Sequence, residues 1–129
     1  MLKKHLCFGV LPWILLSGCG GSSSSSNTPT YSISGGATIS TNTCSAYTVT
    51  RSVNVSSDTT IQPGLTSGQG AVYSNSNCTT VAFLNIQMPS GSNTATFYFK
   101  TNSPGTTVLE VTDVTNSIAQ AASYTVAIQ

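Results

Sequence analysis

From Tyr31 onward, apolar residues tend to fall on every second position, and turn-forming residues break the pattern at short intervals. The segment Asn93–Thr101 is clearest: Ala95, Phe97 and Phe99 point one way, and Thr96, Tyr98 and Lys100 the other. Such alternation predicts a strand with one packed and one wet face. Tyr47, Val49, Val53 and Val55 alternate in a second segment, interrupted by Arg51. Leu84, Ile86 and Met88 mark a third, Tyr124, Val126 and Ile128 a fourth, and Leu109 with Val111 a fifth, in which Glu110 points outward. Thr59–Gln62 and Ala71–Tyr73 read as shorter strands. Turn chemistry separates them at Pro63-Gly64, Ser67-Gly68-Gln69-Gly70, Pro89-Ser90-Gly91 and Ser103-Pro104-Gly105. No apolar spacing sustains a helix for more than about a turn, and the only weak candidate, Asn116–Ala122, reads as a loop. About seven short strands predict an all-β domain of two antiparallel sheets packed face to face, with a small barrel as the other closed arrangement.

The first residues follow a different rule. Lys3 and Lys4 precede the apolar run Leu6–Leu16, which contains Pro12. Eleven helical residues rise about 16 Å, roughly half of a bilayer's hydrocarbon core, so the run is too short to span one. A basic start, a short apolar middle and small residues at the end predict a secretory signal. Its end, Leu16-Ser17-Gly18-Cys19, resembles the lipobox of bacterial lipoproteins. That resemblance implies cleavage before Cys19 and acylation of its thiol, with residues 1–18 as the signal peptide. Gly20 after the cysteine, instead of Asp, implies delivery to the outer membrane. Residues 19–30, the lipidated cysteine followed by a Gly/Ser-rich stretch, read as a tether that has no apolar area to bury. Residues 31–129 form the domain.

Composition narrows the chemistry. Only 5% of the 129 residues are charged, and the formal net charge is +1. That excludes a basic nucleic-acid binder and a charge-rich disordered chain. His5 is the single histidine and falls in the signal, so neither a Ser-His-Asp nor a Cys-His site can be assembled in the mature domain. Asp58, Glu110 and Asp113 are the acids and read as solvated surface groups, too few to cage a metal. Lys100, on the wet face of its strand, is a poor partner for a Ser-Lys site. The expectation is therefore a protein that is not an enzyme and needs no cofactor or metal.

Beyond the lipidated position, Cys44 and Cys78 remain. Two thiols in an exported chain meet an oxidising compartment and are expected to pair as a structural disulfide. The stretch Ala71-Val-Tyr-Ser-Asn-Ser-Asn-Cys-Thr-Thr80, with Leu84-Asn-Ile-Gln-Met88 and Thr94–Thr101, resembles bacterial immunoglobulin-like repeats of the invasin/intimin type. The resemblance implies an immunoglobulin-like sandwich, the same Cys44–Cys78 pairing, and an interaction or structural role at the cell envelope. It supplies no catalytic residues. The alternative is a glycan-binding module: if their strands pair, Tyr98, Asn85 and Gln87 form a polar outward patch with one ring. The expected partners are the membrane, through the N-terminal lipid, and an envelope protein or glycan, with no nucleic acid.

Overall fold

The computed structural model describes residues 28–54, 56–80 and 85–129. The signal, the lipobox residues Leu16, Ser17, Gly18 and Cys19, and most of the tether lie outside these residues, as do Val55 and Leu84.

The strands are β1 (Tyr31–Gly35), β2 (Thr38–Ile39), β3 (Ser45–Arg51), β4 (Thr59–Ser67), β5 (Ala71–Tyr73), β6 (Ile86–Met88), β7 (Thr94–Lys100), β8 (Gly105–Asp113) and β9 (Ile118–Ile128). They form two sheets, ordered β1-β3-β7-β5 and β2-β9-β8-β4-β6. The first is the A-B-E-D order of an immunoglobulin domain, and β9-β8-β4 is the facing G-F-C order. The chain visits β5 before it returns to place β6 beside β4, a departure from the usual succession.

Alternation puts one face of each sheet inside. Ile33, Tyr47, Val49, Phe97 and Phe99 come from the first sheet, and Ile61, Met88, Leu109, Val111, Val126 and Ile128 from the second. Tyr47 is the hub: its ring stacks on Phe97 with centroids 5.7 Å apart and meets Phe99 and Tyr124 edge-on at 6.4 and 5.9 Å. Such aromatic pairs add to the burial of their area.

The sandwich is antiparallel except at one edge, where β2 runs parallel to β9. The N-terminal segment pairs with β3 as β1, then changes sheets at Gly35-Gly36. Two tyrosine hydroxyls hold the crossing: Tyr47 donates to the Gly36 carbonyl and Tyr124 to the Gly35 carbonyl, both at 2.9 Å. A Cβ on Gly35 would lie 2.4 Å from the Tyr47 ring, so the crossing requires glycine there.

Several expectations change. Nine strands are found among the described residues and not seven, because β1 and β2 each bury one residue and leave almost no alternation to read. Pro63-Gly64 is no turn but the middle of β4. Since β6 covers only Thr59–Ile61, the strand beyond has no partner on that side among the described residues, and a residue lacking an N–H is tolerated. Val53 does not continue β3, which ends at Arg51. Ile118–Ala122 belongs to β9 and not to a loop. There the register jumps between the Val111 and Asp113 pairings, and Ser117 and Gln120 take positive φ, so an irregularity hides the period.

Candidate functional site

The two cysteines meet. Cys44 and Cys78 form a disulfide with Cα atoms 5.8 Å apart, tying the approach to β3 to the loop after β5. Asn75 shapes that loop: its Oδ1 accepts from the backbone N–H of Thr79 (3.1 Å) and Thr80 (3.2 Å), and its Nδ2 donates to Thr79 Oγ1 (2.7 Å).

Tyr98, Asn85 and Gln87 do not meet. Tyr98 lies on the outer face of the first sheet, paired with Tyr73 on one side and Ala46 on the other. Asn85 and Gln87 belong to the β6 segment of the second sheet, and Gln87 Nε2 donates to Thr60 Oγ1 at 2.8 Å. The condition for the predicted patch, pairing of the two strands, is not met. Pro89–Asn93, with the Ser92 N–H donating to the Pro89 carbonyl at 3.0 Å, carries the chain across the sandwich instead of folding it into a hairpin.

The acids are dispersed. Asp58 accepts from the Ser90 N–H at 2.9 Å, and Glu110 accepts from Thr66 Oγ1 at 2.8 Å. Among the described residues, no three of His, Cys, Asp and Glu converge as metal ligands do. Asp113 is not the solvated group expected from the sequence: it is fully buried. Its Oδ2 accepts from the Tyr31 hydroxyl at 2.5 Å and Asn116 Nδ2 at 2.7 Å, and its Oδ1 from the Asn116 N–H at 2.9 Å. Burial alone would raise the carboxyl's pKa, but these donors overcome it and hold the group below the ordinary value. The Tyr31 hydroxyl is pushed well above its usual range by burial and by the neighbouring Asp113.

Arg51, which interrupts the apolar alternation, sits in phase with Tyr47 and Val49 and is fully buried. Its Nη1 donates to Thr59 Oγ1 at 2.6 Å and its Nη2 to the Ser92 carbonyl. Arg51–Thr59 and Tyr31–Asp113 both bridge the two sheets, so polar contacts close this pole of the sandwich. The sequence contained the signal for Arg51 in its phase, whereas Tyr31 and Asp113 are 82 positions apart and nothing local joins them.

The chain enters at the same pole. Thr30 N–H donates to Ser52 Oγ at 3.0 Å, and Ser52 N–H donates back to the Thr30 carbonyl at 2.8 Å. At the opposite pole an open groove of about 420 Å³ is lined by Asn42, Gly70, Ala71, Tyr73, Lys100, Thr101 and Asn102. Its volume falls within the range of ligand clefts. The Asn42 N–H donates to the Thr101 carbonyl at 2.7 Å, fixing the two rims against each other. Gly70 has φ +130°, and a Cβ there would approach the buried Phe99 ring to 2.4 Å, so the backbone passes too close to the core at this point for any residue but glycine. Sequence reading missed this groove because three separate segments build it.

No protein-family model and no curated protein matches the chain. Among solved structures, it is similar to the CARDB domain of the PF1109 protein from Pyrococcus furiosus, a complex with di-metal ions. That match has 16% identity, 78% of this chain and 87% of the other covered, and a TM-score of 0.48. It is also similar to a conjugative transposon lipoprotein from Bacteroides eggerthii DSM 20697, with 12% identity, 74% and 92% covered, and a TM-score of 0.40.

Proposed function

We propose that the protein is an exported lipoprotein, anchored through acylated Cys19 at the bacterial outer membrane, whose immunoglobulin-like module acts by binding and not by catalysis. One geometric observation carries the reading: the chain enters the sandwich beside Ser52, while the groove opens at the other end of β3. Seven strand residues separate them, about 20 Å at 3.3 Å per residue. An anchor preceding Thr28 attaches on the side of the entry pole, which leaves the groove at the end of the sandwich away from the tether. The lipobox supports the anchor, and the likeness to invasin/intimin repeats supports a role in surface interaction. Dispersed, engaged acids and the absence of histidine among the described residues support a non-catalytic module. Two or three acyl chains make such an anchor effectively permanent, where one gives only marginal binding.

The test is Cys19→Ser in the full chain, expressed in a Gram-negative host. The wild type is expected in the membrane fraction and the variant in the soluble fraction or uncleaved. An unchanged fraction and an unchanged mass would refute the anchor.

A further inference from the structure

We propose that the groove at the pole far from the chain's entry binds an acidic oligosaccharide, with Lys100 receiving the sugar carboxylate and Tyr73 supplying a ring for the sugar's face. The proposal rests on the reading of the module as a binding domain and names its ligand class.

The lining decides the class. Asn42 and Asn102 offer amide donors and acceptors, Lys100 offers an ammonium, and none of the described lining residues is acidic. The half-buried Tyr73 is the only aromatic side chain in the lining, and Gly70 and Ala71 keep the wall beside it low. A protein partner anchors through large apolar or aromatic side chains that fill desolvated pockets. The described lining has no large aliphatic side chain and one ring, that of Tyr73. A hydroxyl-rich ligand needs what is present: amides at the rim, one ring, and room for water between them. The charge selects among such ligands. Among the described residues only Arg51 and Lys100 are cationic; Arg51 is buried at the opposite pole, which leaves Lys100 to meet an anion from solution. Cross-strand pairing with Ala71 places no carboxylate beside it.

The rims are also preformed. Thr101 is buried, its Oγ1 accepts from the Ser103 N–H at 3.2 Å, and its carbonyl holds Asn42. The ligand therefore meets a shaped site and does not have to order one, which lowers the cost of binding.

The full-length protein, purified in detergent micelles, would be titrated calorimetrically with 3′-sialyllactose, with disaccharides containing glucuronate or galacturonate, and with lactose as the neutral control. At least one acidic sugar is expected to bind about ten-fold or more tightly than lactose, and to weaken as salt is raised. Lys100→Gln should lose that advantage, binding the acidic sugar no more tightly than lactose. Tyr73→Ala should weaken every sugar, and Gln87→Ala, in the other sheet, should weaken none. Circular dichroism of each variant establishes that it is folded, and Tyr73→Phe, which keeps the ring, should retain binding. Failure of all three acidic sugars, or equal binding by Lys100→Gln and wild type, overturns the proposal. If the sugars fail while Lys100→Gln abolishes capture of an envelope protein by the wild type, the saccharide proposal falls and the binding-module reading stands.

Discussion

Asp113→Asn removes a charge from the closed pole while preserving shape. The carboxylate accepts three hydrogen bonds, at 2.5 Å from Tyr31 and at 2.7 and 2.9 Å from Asn116. An amide can accept on only one of its two heavy atoms. Facing its nitrogen toward the Asn116 backbone N–H would oppose two donors, so it turns toward Tyr31, whose hydroxyl can rotate to accept. The Asn116 side chain must then flip. Hydrogen bonds to a charged group contribute about 1.5–3 kcal/mol and neutral ones about 0.5–1.5, so degrading two of them costs about 2 kcal/mol. For a domain of this size that lowers Tm by roughly 10 °C. The pH dependence sharpens the test. Because the folded carboxyl titrates below its unfolded value of 3.8, the folded state binds fewer protons. The contribution is therefore fully present above pH 3.8 and disappears as pH falls through the folded pKa. Urea unfolding followed by far-ultraviolet circular dichroism at pH 7, 5 and 3 should show a wild-type advantage that is full at pH 7 and shrinks at pH 3. Asp58 and Glu110 are present in both proteins, so the difference isolates Asp113. An equal gap at pH 7 and pH 3, or none at pH 7, would refute the buried-carboxylate account.

Replacing both disulfide cysteines, Cys44→Ser with Cys78→Ser, should cost about 4 kcal/mol by loop-closure entropy across the 34-residue separation, measured as a lower urea midpoint under non-reducing conditions. Gly35→Ala drives a methyl to within 2.4 Å of the Tyr47 ring and should destabilise by about 1–3 kcal/mol, read by thermal unfolding. Phe97→Ala opens the core against Tyr47 and should cost about 3–5 kcal/mol in the same assay, whereas Thr96→Ala, on the outer face, should fall within about 0.5 kcal/mol of wild type.

The parts of the fold that were legible in the sequence are those in which a strand has one wet face. Ala95, Phe97 and Phe99 in β7, and Tyr124, Val126 and Ile128 in β9, alternate and face the core as read. The reading failed where burial and polarity part company. Arg51 and Asp113 are charged and wholly enclosed, and each is accommodated by partners on a different sheet or a following turn. A charged letter in a strand says nothing of such partners. Pro63 failed for a related reason, since its tolerance depends on where β6 stops. The proposed binding surface was the least legible part. The linear order suggested that Gln87 and Tyr98 were neighbours, but the crossing at Pro89–Asn93 puts them on separate sheets. It is the β5–β7 pairing that places Tyr73 against Tyr98 and Ala71 against Lys100.

The proposed acylation of Cys19 would link the fold to its place in the cell, with the anchor attached on the side of the entry pole, away from the groove. The most direct measurement is the intact mass of the N-terminal peptide of the protein recovered from bacterial membranes. The account predicts a chain that starts at Cys19 and carries acyl groups. A peptide beginning elsewhere, or Cys19 without lipid, would contradict it.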